Sequence, residues 1–85
     1  MIKKTNKESE IKEYLILWFQ NKTKMKIKKN YLDKDYFHEE WIDSFEIVNL
    51  IEELQDQFNI EFNDTDFQHS NFSTINGLTK IIIKK

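Results

Sequence analysis

The chain contains no proline and a single glycine, Gly77, among its 85 residues. Proline interrupts helices, and glycine supplies most of the backbone conformations that tight hairpin turns need. A sequence with almost none of either is therefore poorly suited to a hairpin-rich β-fold and well suited to continuous helices. Because 85 residues can enclose only one hydrophobic core, we expect residues 1–85 to form a single all-α domain.

Cysteine is also absent, which excludes a disulfide framework, a thiolate metal site and a protein thiol as nucleophile. No apolar run in the sequence approaches the roughly 18 residues that a membrane-spanning helix requires. The chain starts with Met1-Ile2-Lys3-Lys4 and continues into polar residues rather than into the apolar core of a signal peptide. We therefore expect a cytoplasmic protein with no membrane insertion.

The net charge of −2 conceals an uneven distribution of charge along the chain. Residues 1–34 hold ten lysines and four acids, whereas residues 35–66 hold eleven acids and no lysine or arginine. This distribution predicts an acidic face in the middle of the chain, which would attract a basic partner. The lysine-rich run of residues 22–29 is short and is followed by this acidic remainder, so a nucleic-acid interface is not favoured.

Apolar residues with helical spacing predict three longer helices. The first stripe lies between Ser9 and Phe19, the second follows Asp43 as far as Phe58, and the third lies within the last twelve residues. The stripes consist of Ile11, Tyr14, Leu15 and Trp18; of Ile47, Leu50, Ile51, Leu54 and Phe58; and of Ile75, Leu78, Ile81 and Ile82. We expect the three helices to meet in one core formed by Ile11, Leu15, Trp18, Leu50, Leu54, Phe58, Ile75 and Leu78.

The connection between the first two helices reads as a long loop. Residues 21–42 lack a clean period, and residues 22–29 alternate as a strand does but carry too many charges without a partner strand. Residues 59–62, after the second helix, look extended.

The end of the chain carries local signals for one short and one longer helix. Asp64 to Gln68 can form a single helical turn, and we expect Asn71 or Ser73 to cap the last helix. Glycine inside a helix costs about 1 kcal/mol relative to alanine, so Gly77 is expected to pack closely against a neighbour.

The most informative stretch runs from Glu40 to Phe62 and contains a serine at the expected first turn of the second helix. Asp43 and Glu46 have the spacing of a capping box, and an acid suits the positive end of the helix dipole. The hydroxyl of Ser44 would project into solvent beside free backbone N–H groups, where a phosphate is electrostatically favoured. The neighbouring long loop would leave this hydroxyl open to a modifying enzyme.

Asp43-Ser44-Phe45, followed by apolar residues at fixed positions on the helix, resembles the phosphopantetheine-binding segment of acyl and peptidyl carrier proteins. The apolar positions that match are Ile47, Val48, Leu50, Ile51, Leu54, Phe58 and Ile60. The resemblance covers residues 9–83, because Phe72-Ser73-Thr74-Ile75 also looks like the entry to the last helix of that family. The run Trp41-Ile42-Asp43-Ser44-Phe45 is most similar to free-standing carriers from gene clusters for modified sugars, surface polysaccharides or aminoacyl transfer.

The resemblance implies a four-helix bundle of the acyl-carrier-protein type, with three longer helices, one short helix and a long loop between the first and second. It also implies a 4′-phosphopantetheine arm attached to Ser44 through a phosphodiester, with Asp43 assisting recognition by the transferase. Since the chain has no cysteine, the thiol that holds an acyl or aminoacyl cargo would come from this arm. Whether the cargo is a fatty acid, a hydroxy acid or an amino acid stays open.

The implied protein is a monomeric carrier and not an enzyme. Its implied partners are a phosphopantetheinyl transferase, a loading enzyme (an adenylating ligase or an acyltransferase) and a downstream acceptor enzyme.

Partner docking is expected around the serine. Trp41, Phe45 and Val48 lie close to it along the chain, and they suit partial exposure at a docking site or an acyl pocket as well as core packing. Ile51 is better explained as a core residue. The second helix also carries four acids, Glu46, Glu52, Glu53 and Asp56. These acids could form an ordinary solvated face, but the lack of lysine in residues 35–66 favours a docking role.

Other functions fit the sequence less well. A small helical interaction module without a prosthetic group remains the alternative, and modification of Ser44 distinguishes it from a carrier. A hydrolase is not favoured, because neither His38 nor His69 stands in a recognisable nucleophile motif. No metal site is predicted, since the histidines lack zinc-site spacing and Asp64-x-Asp66 lacks the glycine and glutamate of a calcium loop.

Overall fold

A computed structural model describes the chain from Lys3 to Lys85, with side chains from Glu8 onward. Met1 and Ile2, at the start from which we predicted the absence of a signal peptide, lie outside the described residues. The α-helices are α1 (Lys3–Thr23), α2 (Ser44–Phe58), α3 (Asp64–Gln68) and α4 (Ile75–Ile83). With two short 3₁₀ turns and no strand among the described residues, the chain has the predicted all-α, four-helix architecture. None of the helices described is both long and apolar enough to cross a membrane.

Helix α1 is longer in both directions than the predicted stripe of residues 9–19. It buries Ile11, Leu15 and Phe19, which repeat every four residues and therefore lie on one face of the helix. Trp18, which we predicted in the core, is only half-buried, and Phe19 takes the core position instead. Both side chains are large and apolar, so the sequence alone favoured the wrong one of two adjacent residues.

The connection between α1 and α2 contains no helix except the 3₁₀ turn Lys29–Tyr31, as predicted for a loop. Unlike a free loop, however, it contributes four buried side chains, Ile27, Leu32, Tyr36 and Ile42. The Tyr36 hydroxyl donates a hydrogen bond to the carbonyl of Phe72, which precedes α4. Burial raises the pKa of this hydroxyl, so Tyr36 stays a donor at any physiological pH. The connection is thereby fixed to the helical core.

Helix α2 begins and ends where the sequence predicted. The Asp43 carboxylate accepts hydrogen bonds from the backbone N–H groups of the first turn, and the Glu46 carboxylate accepts one from the N–H of Asp43, which together form the predicted capping box. Leu50, Ile51 and Leu54 are buried on the opposite side from solvent. The helix ends at a left-handed residue, Asn59 (φ 54°), a conformation that asparagine tolerates. Phe58, another predicted core residue, is half-buried against the core.

Three contacts show that α1 and α2 run antiparallel. In the middle of α1, Tyr14 contacts Glu53 and Phe58 in the second half of α2. Near the end of α1, Lys22 contacts Glu46 in the first turn of α2. The C-terminal end of α1 therefore lies beside the N-terminal end of α2, which is the end that carries Ser44.

The last helix begins one residue later than a cap at Ser73 would place it, and three residues later than a cap at Asn71. Thr74, rather than Asn71 or Ser73, is its N-cap, and the Thr74 hydroxyl accepts a hydrogen bond from the N–H of Gly77. Asn71 and Ser73 belong to the second 3₁₀ turn, Ser70–Ser73, which occupies the residues that we had expected to be free for capping. Helix α4 buries Ile75, Leu78, Ile81 and Ile82, as predicted. Gly77 is buried too and packs against Asn71, so the expected close contact is confirmed.

Candidate functional site

Ser44 is the first residue of α2 and is exposed. Its position is set by the preceding Asp43, whose Oδ1 accepts hydrogen bonds from the backbone N–H groups of Phe45 (3.0 Å) and Glu46 (2.8 Å). Asp43 thus fixes the first turn, and the Ser44 side chain leaves that turn toward solvent. The structure places a primary hydroxyl at the positive end of a 15-residue helix, where an attached phosphate group is favoured.

Glu46 is engaged on both carboxylate oxygens. Its Oε1 accepts a hydrogen bond from the N–H of Asp43 at 3.0 Å, and its Oε2 lies 2.9 Å from the ammonium of Lys22 on α1. Residues 35–66 contain no lysine of their own, but Lys22 of α1 provides a positive charge to this acidic segment. Of the four acids predicted for docking, Glu46 is the one that forms a salt bridge with a side chain in residues 8–85.

The residues immediately before the serine are anchored. Glu40 has a positive φ of 63°, which turns the chain so that the N–H of Trp41 donates to the carbonyl of Tyr36. The half-buried Trp41 ring lies 6.2 Å from the Phe19 ring of α1 and 5.8 Å from the Tyr31 ring of the loop, measured between centroids. The predicted partner contact at Trp41 is thus limited to whatever edge of its ring remains accessible.

Two apolar side chains on the solvent side of α2 are exposed beside Ser44. Phe45 is 82% exposed and Val48 is 53% exposed, so both are available for contact, whereas Ile51 is buried as expected. Val48 and Ile51 also line an apolar cleft of about 370 Å³ between α2 and the segment that follows it. The opposite wall of that cleft consists of Phe67 from α3 and Phe72 from the second 3₁₀ turn, two residues that the sequence analysis did not connect with the site.

The remaining acids of α2 fall into two rows. Glu52 and Asp56 follow Val48 at intervals of four residues and share its exposed face. Glu53 faces α1, where it accepts a hydrogen bond from the Tyr14 hydroxyl at 3.1 Å. Burial, together with this bond to a carboxylate, raises the pKa of Tyr14. Among the side chains that the structure describes, from Glu8 onward, no salt bridge involves Glu52 or Asp56, and both acids are exposed on the face of α2 that carries Val48.

The two histidines lie apart from this site. His69 precedes the second 3₁₀ turn, and its Nδ1 accepts a hydrogen bond from the N–H of Asn71, which is an N-capping role. His38 lies exposed in the loop. Among residues 8–85, whose side chains are described, no group of three or more His, Asp or Glu is arranged to hold a metal ion.

Comparison with known proteins adds independent information on this segment. Residues 18–82 match the protein family described as "Phosphopantetheine attachment site". The chain is also similar to proteins named "D-alanyl carrier protein" from Bacillus cereus and Bacillus anthracis, with 32% identity over 72 residues, or 85% of this chain and 91% of each relative. No solved structure matches the chain significantly.

Proposed function

This chain belongs to the family of phosphopantetheine-binding carrier proteins, and on that premise we propose that Ser44 is the residue to which the arm is attached. Members of the family carry covalent 4′-phosphopantetheine and present a substrate on it to partner enzymes, and this protein is such a carrier. Carrier proteins are generally not enzymes, and they work with a transferase and with enzymes that handle the acyl group.

The position of Ser44 carries the proposal for the attachment residue. Attachment requires the serine oxygen to form a bond with the phosphate that bears pantetheine, while coenzyme A releases adenosine 3′,5′-bisphosphate and the hydroxyl proton passes to the transferase. The residues fit such a group, because the hydroxyl is exposed and the first turn of α2 offers its positive end to the phosphate. Asp43 fixes that turn through two hydrogen bonds, which supports its proposed role in presenting the serine to the transferase.

Intact-protein mass spectrometry tests the attachment residue. Incubation with coenzyme A and a broad-specificity transferase is expected to add one phosphopantetheine to the wild-type protein and none to Ser44→Ala. Ser70→Ala is the matched control, because Ser70 is also an exposed serine at the first position of a helical turn. Loss of modification in the control, or its persistence in Ser44→Ala, would refute the assignment.

We propose an aminoacyl cargo, with D-alanine as the first candidate, because the relatives that cover nearly the whole chain are named D-alanyl carrier proteins. One observation supports a second candidate, a short fatty acyl chain. The cleft between Val48 and Phe67 lies one helical turn from Ser44 and is lined mainly by apolar side chains, which would receive an alkyl chain but offer little to an ammonium group.

A loading assay on the modified protein distinguishes the two cargoes. An adenylating ligase that serves one of the D-alanyl carriers is offered ATP with D-alanine or L-alanine, and in parallel an acyltransferase is offered octanoyl-coenzyme A, whose coenzyme A leaves when the octanoyl group is transferred to the arm. We expect thioester formation with D-alanine and no loading of the Ser44→Ala variant. Loading of octanoate alone would show that the cleft, and not the similarity to the D-alanyl carriers, indicates the cargo.

We further propose that partners dock on the solvent side of α2, through Phe45, Val48 and the acids Glu52 and Asp56. Exposed charges act mainly on association rate and are screened over about 8 Å at physiological ionic strength. Reversing Glu52 and Asp56 to lysine should slow loading and reduce its sensitivity to salt. Glu53 is unsuited to this test, since its reversal would also remove the hydrogen bond from Tyr14.

The control for the charge reversal is a second pair of exposed acids, Glu8 and Glu10, at the far end of α1 from Ser44. Reversing them changes the net charge equally. Equal slowing by the two pairs would mean that only net charge matters and would refute docking on α2.

Residues 1–85 are proposed to act as one monomeric carrier domain in the cytoplasm. The single core supports one domain, since buried side chains from α1, α2, α4 and the long loop pack together within it. The cytoplasm is where coenzyme A, the donor of the arm, is available.

A further inference from the structure

The last turn of α1 delivers a lysine to the modified end of α2. The Lys22 ammonium lies 2.9 Å from Oε2 of Glu46 and 5.7 Å from the centre of the Trp18 ring, over its face. The aromatic face and the carboxylate both attract a cation, so together they hold the ammonium in one place. Lys22 also suits the last turn of α1, where the helix dipole favours a positive charge.

A continuous chain of contacts leads from this ammonium to the residue before the serine. Glu46 bonds Lys22 with one oxygen and the N–H of Asp43 with the other. Side chains at positions 44 and 46 of a helix leave it in different directions. Glu46, however, folds back to the N–H of Asp43, so two successive contacts join the Lys22 ammonium to the residue that precedes Ser44.

Attachment of a prosthetic group changes the charge balance at this helix end. The first turn already holds two carboxylates, those of Asp43 and Glu46. A phosphodiester on Ser44 adds a third negative charge within the same turn. Like charges within one helical turn repel one another. Among the described residues, Lys22 is the one cation that forms a salt bridge with this turn.

We propose that Lys22 is the counter-ion of the phosphate on the attached arm. Before modification, the Lys22 ammonium is paired with Glu46. After modification, it is shared between Glu46 and the phosphodiester. This inference rests on the proposed attachment at Ser44. Lys22 then acts on the modified form specifically, in addition to joining α1 to α2. This role of Lys22 is separate from the general attraction of a phosphate to a helix N-terminus, which needs no lysine.

A comparison of unmodified and modified protein tests the proposal. Thermal unfolding is measured for both forms of the wild type, Lys22→Gln, Lys22→Arg and Lys26→Gln, an exposed lysine of the adjoining loop as matched control. Lys22→Gln should lower the midpoint of the modified form by roughly 2–4 °C more than that of the unmodified form, as one partly exposed ion pair in a domain of this size allows. The difference should shrink at about 1 M salt, where screening acts over roughly 3 Å.

A second readout observes the phosphate directly. The ³¹P resonance of the phosphodiester should shift in Lys22→Gln and stay in place in Lys26→Gln, while Lys22→Arg should behave as the wild type in both measurements. Equal losses in both forms together with an unmoved ³¹P resonance would overturn the counter-ion role and leave Lys22 as a link between helices. A wild-type chain that takes up no arm by mass spectrometry would instead overturn the attachment at Ser44, and the inference with it.

Discussion

Replacement of the single glycine by alanine tests the tightest packing contact in the fold. Gly77 lies inside α4, where it is buried against the 3₁₀ turn that precedes the helix. A Cβ added there would lie 2.6 Å from the Cβ of Asn71 and 2.7 Å from its carbonyl carbon, and closer still to the carbonyl oxygen. Two of these three atoms belong to the backbone, so a rotamer change cannot relieve the overlap.

Two effects of opposite sign determine the outcome. Alanine in place of glycine in a helix interior contributes about 1 kcal/mol of stability through its higher helix propensity. Overpacking of a tight site costs about 1–3 kcal/mol, and occasionally more, when the surroundings yield only partly. Here ordinary contact begins at 3.4 Å, so the Asn71 carbonyl group and α4 must separate by more than an ångström. We therefore place the overlap at or above the upper end, about 3–4 kcal/mol, and expect Gly77→Ala to lose roughly 2–3 kcal/mol net.

Urea-induced unfolding followed by circular dichroism measures this loss. Lys80→Ala, on the exposed face of the same helix, is the control and should change stability by less than about 0.5 kcal/mol. A neutral or stabilising Gly77→Ala would mean that helix propensity outweighs the overlap. The reasoning about the contact with Asn71 would then be wrong, and the 3₁₀ turn would have to move freely relative to α4.

Three further changes test other parts of the structure. Leu54→Ala removes a fully buried side chain of α2 and should cost roughly 2–5 kcal/mol in the same unfolding experiment, whereas a loss below about 1 kcal/mol would mean that the wrong helix face is buried. Burial tends to raise the pKa of Asp66, but the Lys85 ammonium at 2.6 Å and a backbone N–H outweigh it and hold the pKa below its usual value. Asp66→Asn should therefore cost about 1 kcal/mol at neutral pH, with the deficit fading as pH falls below about 4, and a deficit independent of pH would refute the role of the charge. Tyr36→Phe leaves the buried carbonyl of Phe72 without its donor and should lose about 1–3 kcal/mol, an expectation that unchanged stability would contradict.

The features predicted correctly from the sequence are those that local chemistry determines. The start of α2 follows from a capping box within four residues, and the short α3 likewise has a box between Asn63 and Asp66. The apolar period was enough to locate helix α4. It did not identify the capping residue, because the preceding 3₁₀ turn has no periodic signal. Whether Trp18 or Phe19 enters the core depends on how α1 is rotated about its axis relative to the other helices. The local sequence does not determine that rotation.

The long loop and much of the site depend on contacts between residues far apart in the chain. Tyr36 is buried because it reaches a carbonyl 36 residues later, and no spacing rule connects the two. The same holds for Lys22, which reads as one of several loop lysines until the antiparallel arrangement of α1 and α2 places it against Glu46. The exposed Ser44, by contrast, could be predicted, since its environment consists of the turn that it begins.

The first turn of α2 is held from two sides, which bears on how a carrier delivers its cargo. On one side the Trp41 ring packs between the loop and α1, and on the other Lys22 ties Glu46 to the end of α1. A serine in a turn that is fixed in this way gives the root of a flexible arm a constant position relative to the exposed face of α2. The effective concentration of the cargo at a docked enzyme then depends on the reach of the arm and not on movement of the turn to which the arm is attached. Loosening the turn, for example by removing both anchors, should therefore weaken delivery to every partner alike, whereas changes at Glu52 and Asp56 should affect partners according to their charge.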